Sequence, residues 1–180
     1  MAVLAAAAAL AAGLAACSSS ANNAKPATTV RSGTETAHGR LTGAAAMSGN
    51  PTFHLTMAGP VATSGTIPLG AAPQKGASHS FSTSDGKLAV TLTGAGSTHA
   101  GLQSQSTCRI AFSTRVPFTV DGPKSTGKFH GATGSGQALV TLSGNLPKHN
   151  GKCDVSRNAQ PAPHTAVGTF NATMHLTVRH

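Results

Sequence analysis

Tryptophan and tyrosine are missing altogether from the 180 residues, and only Glu35, Asp85, Asp121 and Asp154 carry a carboxylate. The first absence removes the flat, hydrogen-bonding aromatics on which recognition of sugars and single-stranded nucleic acids largely rests. The second leaves little from which to build a carboxylate pair. Glu35 falls in a polar stretch expected to be a tether, and the three aspartates stand in turn-like sequence, so glycoside hydrolysis has no evident pair to work with. Charge of either sign is sparse, at 9% of residues. Thirteen Lys and Arg nevertheless outnumber the four acids, giving a formal charge of +9. These cations are dispersed rather than gathered into a patch, and nucleic acid is not an expected partner.

Long apolar runs are missing too, with one exception. Residues 2–16 are uninterruptedly apolar or glycine and end in Leu14-Ala15-Ala16-Cys17. The run is shorter than the roughly 20 residues that span a bilayer and has the length of a signal-peptide core. Its ending resembles the lipobox of bacterial lipoproteins. That resemblance implies alkylation of the Cys17 thiol with diacylglycerol, cleavage just before Cys17, and a lipid-anchored protein on the extracytoplasmic face of the cell membrane. Small Ala15 and Ala16 suit the peptidase cleft, and Leu14 an apolar subsite. The first basic residue is Lys25, so the basic start of such a signal is expected upstream of Met1.

Residues 18–37 are small and polar with no apolar periodicity. Residues 17–37 are therefore read as a flexible tether with a reach of roughly 25 Å, and residues 38–180 as a single domain. With Cys17 assigned to lipid, Cys108 and Cys153 remain as an even pair in an oxidising compartment, which favours a disulfide.

The domain is rich in Thr, Val and Gly, and its patterning has a period of two. Phe170, Ala172, Met174, Leu176 and Val178 share one face of a strand, opposite Asn171, Thr173, His175, Thr177 and Arg179. The same alternation groups Phe53, Leu55 and Met57; Leu88, Val90 and Leu92; Cys108, Ile110 and Phe112; Val116, Phe118 and Val120; and Ala138, Val140 and Leu142. Gly, Pro, Asn and Asp punctuate these runs, as at Ser84-Asp85-Gly86 and Asp121-Gly122-Pro123. The expected fold is all-β, an antiparallel sandwich or barrel, following the N-terminal signal helix and tether.

Two segments repeat. Residues 86–94, GKLAVTLTG, align with residues 136–144, GQALVTLSG, and His99 and Gly101 align with His149 and Gly151 at the same offset. A duplicated β unit and convergence of two Gly/Thr-rich strands both account for the match. Residues 127–136, GKFHGATGSG, resemble a Gly-x-Phe-x-Gly-Ala-Thr-Gly-x-Gly pattern of exported all-β bacterial proteins. More remotely they are similar to barrel proteins of the dirigent and allene-oxide-cyclase type. The resemblance covers ten residues and implies a β fold without implying an activity.

Motifs that suggest chemistry fare poorly. Residues 122–128, GPKSTGK, satisfy the start of a phosphate-binding loop, but Phe129 stands where a magnesium-binding hydroxyl is needed, and the sequence that follows is strand-like rather than helical. Ser84 to Lys87 and Ser125 to Lys128 match Ser-x-x-Lys, yet both contain Gly and lack the helix that would place lysine beside serine. The nine histidines show no compact pairing, and His54 and His175 alternate away from the apolar faces. No metal or cofactor is called for.

The composite expectation is a lipid-anchored, extracytoplasmic surface protein with a structural or binding role and no catalysis. The membrane is its partner through the anchor, with anionic lipids or cell-wall polymers drawn by the positive field. The alternative is a β-barrel that binds a small apolar ligand; a remoter one is an enzyme without a recognisable motif. A ligand-sized apolar cavity would favour the barrel reading, and a Ser-His-Asp cluster in a cleft the enzyme.

Overall fold

A computed structural model describes residues 29–47, 51–68, 73–156 and 159–179. Among the described residues eleven strands form: β1 (Val30–Thr42), β2 (Thr52–Ala58), β3 (Thr63–Pro68), β4 (Ser78–Thr83), β5 (Gly86–Leu92), β6 (Ser97–Ser104), β7 (Arg109–Val120), β8 (Thr133–Asn145), β9 (Lys148–His149), β10 (Lys152–Cys153) and β11 (Val167–Arg179). The fold is all-β, and of the two expected architectures it is the barrel. The hydrogen-bonded order β5-β4-β3-β2-β1-β11-β8-β7 returns to β5 through a further β5–β7 pairing, so eight antiparallel strands close. β6 lies outside the ring, paired with the first half of β7, while β9 and β10 form a separate small hairpin.

The period-two runs become the barrel wall. On β11, all five apolar residues from Phe170 to Val178 are buried, while Asn171, Thr173 and His175 are exposed. β2 repeats this, with Phe53, Leu55 and Met57 inside and His54 and Thr56 outside. An apolar inside with a polar outside is the inverse of a transmembrane barrel, whose outer face is apolar.

The domain begins earlier than residue 38. β1 starts at Val30, so residues 30–37 belong to the wall rather than to the tether. Glu35, expected in that tether, is fully buried. β1 pairs with β11 along its whole length, from Val30↔Arg179 to Thr42↔Val167. Its inward positions are Gly33, Glu35, Ala37, Gly39 and Leu41, which present almost no apolar signal. Small residues are needed there: a Cβ on Gly39 would collide with the Leu55 side chain. Residues 1–16, Cys17 and the rest of the expected tether up to residue 28 lie outside the described residues.

β5 and β7 pair only over Val90↔Val120 to Leu92↔Phe118. Beyond that short ladder the seam is completed by the loop that resembles a phosphate-binding motif. Asp121 N–H donates to Ala89 O at 2.8 Å, Thr126 N–H donates to Lys87 O at 2.8 Å, and Lys128 N–H donates to Asp85 O at 3.0 Å. Ser125, almost fully buried, accepts from Ala89 N–H and donates to Asp121 O through its hydroxyl. The segment folds as two short 3-10 turns, Gly122–Lys124 and Gly127–Phe129, not as the start of an α-helix. Gly127, at φ +61, packs so tightly on the β4–β5 turn that a Cβ would strike Asp85 O. Phe129 and Ala132 from this segment are fully buried in the main core with Leu176 and Val178, and they close one end of the barrel.

Candidate functional site

The other end is not filled. Above the plug the barrel holds a cavity of about 270 Å³. The alternating positions of β2, β5, β7, β8 and β11 supply the wall, including Leu55, Leu88, Phe118, Val140 and Met174. Pro51 and Pro73, just ahead of β2 and β4, mark the rim, together with Leu92, Thr114 and Leu142. The two aligned nine-residue segments contribute equivalent walls: Leu88, Val90 and Leu92 on β5, and Ala138, Val140 and Leu142 on β8, all line the cavity on either side of β7.

Among the described residues two polar side chains line it, His79 on β4 and Thr114 on β7. His79 lies two residues from buried Phe81 on the rim side, and Thr114 two residues from buried Val116 on the rim side. The β5–β6 loop crosses beside Thr114, since a Cβ on Gly96 would press on Thr114, Val116 and Pro73. An apolar room of this size is about nine times the ~30 Å³ that a liquid water occupies, but walls without polar partners hold water poorly. Sealed and empty, it would cost about 6 kcal/mol at ~24 cal/mol per Å³; contact with solvent at the rim makes that an upper figure. Even so, it is comparable with the ~5–15 kcal/mol net stability of a whole domain.

Cys108 and Cys153 are joined in a disulfide. It lies outside the cavity, tying the β6–β7 turn to the β9–β10 hairpin at the rim end. Cys17 lies outside the described residues. The Ser-x-x-Lys serines and lysines serve the closed end: Ser125 holds the seam, and Lys128 pairs with Asp85 at 2.8 Å, which draws the Asp85 carboxyl below its usual range. Asp121 is drawn down likewise by Lys124, at 2.8 Å. Among the described residues no group of three or more His, Cys, Asp or Glu side chains gathers. His54 and His175 point outward, whereas Met57 and Met174 point into the cavity. No helix among the described residues is long and apolar enough to cross a membrane.

One expected face is only partly core. Ile110 and Phe112 have the inward parity, but Phe112 is 42% exposed. In that half, β7 pairs with β6 rather than β5, so its inner face lies past the point where the barrel closes. Sequence reasoning also missed Phe81, His79 and Pro73 as cavity residues. β4 reads SHSFST, in which a single phenylalanine is the entire apolar signal.

Comparison with protein-family models, with curated proteins and with solved structures gives no match.

Proposed function

We propose that this chain is a lipid-anchored, extracytoplasmic binding protein whose barrel holds a small apolar ligand. The observation that carries the reading is the apolar cavity, of about 270 Å³, with His79 and Thr114 as its polar wall groups. That size is near the small end of ligand sites, ~300–1,000 Å³. The wall chemistry selects a hydrocarbon-rich molecule with at most one hydrogen-bonding group, placed at the rim where an imidazole and a hydroxyl can meet it. None of the described carboxylates lines the cavity, which suits holding a ligand rather than transforming one. The anchor is supported by the lipobox-like ending at Cys17.

The test is to express the chain in a bacterium with a short basic leader added ahead of Met1, isolate it from membranes, and extract it with organic solvent for mass spectrometry. A stoichiometric apolar compound is expected with the protein, and Cys17→Ser should move the protein from membranes into the soluble fraction with that compound still bound. Ligand-free protein that also fails to take up added apolar compounds would refute the binding role. Unchanged membrane retention of Cys17→Ser would refute the anchor.

A further inference from the structure

The cavity wall does not stop at the rim. Phe112 on β7 is paired with Leu142 on β8, a cavity residue, and on its other side with Ala100 on β6. Ile110 is paired with Leu102 in the next inward row. Cross-strand partners share a face, so Leu142, Phe112, Ile110 and Leu102 form one apolar apron running from the cavity out along the β6–β7 hairpin. Leu102 and Phe112 are exposed on it. Beyond the disulfide at the hairpin's tip stands Val155, 69% exposed. Adjoining apolar side chains left in water on one strand face offer a contact site.

The charges at this end indicate what covers it. Lys148 and Lys152, on the β9–β10 hairpin that the Cys108–Cys153 disulfide ties to the β6–β7 turn, are exposed. The ion pairs between described residues, Lys124–Asp121 and Lys128–Asp85, are both at the closed end. The one carboxylate near the disulfide, Asp154, accepts from Ser156 N–H. Exposed apolar side chains at the same end as two lysines with no ion pair among the described residues match an anionic bilayer, which takes the apolar groups below its head groups and the cations among them.

We infer that the β6–β7 apron and the β9–β10 hairpin dock this protein on an anionic lipid surface, and that an apolar ligand passes between bilayer and cavity along the apron. The passage rests on the ligand-binding reading; the docking does not. β1 begins at Val30 beside Arg179, at the closed end. The docking surface is therefore at the end of the barrel opposite the start of β1.

The experiment uses the chain from residue 17 onward with Cys17→Ser, so that neither an acyl chain nor the apolar run of residues 2–16 contributes, and measures co-sedimentation with phosphatidylglycerol-containing and with pure phosphatidylcholine vesicles. Binding to the anionic vesicles is expected to exceed binding to the neutral ones. Lys148→Ala with Lys152→Ala should weaken anionic binding by roughly 25-fold, at about fivefold per charge near such a surface. Phe112→Ser with Leu102→Ser should abolish it, with the thermal melt little changed because these side chains are exposed. Ala138→Phe, which fills the cavity, should remove uptake of the probe 1-phenylnaphthylamine and leave vesicle binding intact. Equal binding of parent and apron variants to anionic vesicles would overturn the docking surface, as would a solution dimer dispersed by Phe112→Ser, which would assign the apron to a second copy. Absent vesicle binding with intact probe uptake would overturn the docking and leave the cavity reading standing.

Discussion

The carboxylate of Glu35, fully buried on β1, accepts a hydrogen bond from Val61 N–H at 2.9 Å through Oε2, while Oε1 has no partner among the described residues. The contact holds the β2–β3 connection against the wall, where a Cβ on Gly59 would press on Glu35 itself. Burial pushes the Glu35 pKa up, and the Val61 N–H opposes this only in part. Because the folded state prefers the protonated acid, the stability from that preference is complete below the ordinary value of 4.5 and is lost as pH rises through the raised folded value. Asp85 and Asp121 act in the opposite sense: their lowered pKa values give stability above 3.8 that is lost in acid. Glu35→Gln should therefore melt higher than the parent in mildly alkaline buffer and close to it below pH 4.5. Thermal melts across pH check this, and parallel profiles for the two proteins would show that Glu35 does not titrate with folding.

Phe129 fixes the closed end. It is wholly buried among strands distant in sequence, so Phe129→Ala should cost about 3–5 kcal/mol, read as a fall in denaturant midpoint. Lys128→Ala removes only an exposed ion pair with Asp85 and should move that midpoint far less. Similar losses for the two variants would mean that the plug is not packed as described.

Much of the wall was legible because water lies on one side of it and apolar side chains on the other. Phe170 to Val178 and Phe53 to Met57 announce that alternation without help from any partner. β1 was illegible for a physical reason: its inward row of Gly, Glu, Ala, Gly and Leu makes room for the side chains of β2 instead of filling the core itself. Phe112 shows a different limit. Parity says which face a residue takes, but only long-range pairing says whether another wall stands opposite, and β7 changes partner from β6 to β5 along its length. The cavity was foreseen as a possibility of the barrel. Its position and polar groups depend on His79, Phe81 and Pro73, in stretches with little apolar pattern.

The Cys108–Cys153 bridge spans a sequence separation of 45. Closing a loop of that length restricts the unfolded chain by ~4 kcal/mol in the entropy account. Replacing both cysteines by serine should lower the melting temperature on the order of 10 °C. Because the bridge lies at the rim and not in the cavity, saturable uptake of an apolar probe should survive in the folded double variant. Loss of uptake without loss of fold would place the hairpin tip in the binding site itself.

The central claim is a ligand cavity, and it is tested most directly by titrating the parent and Ala138→Phe with an uncharged apolar fluorophore at low and at high salt. Ala138 lies on the cavity wall between Val116 and Ala172. A phenyl ring there fills existing space, so the melt should hold or rise as binding disappears. The account predicts saturable one-to-one binding by the parent that is insensitive to salt, since a desolvated apolar site has no charge to screen. Binding that never saturates, that collapses as salt rises, or that persists unchanged in Ala138→Phe would contradict it.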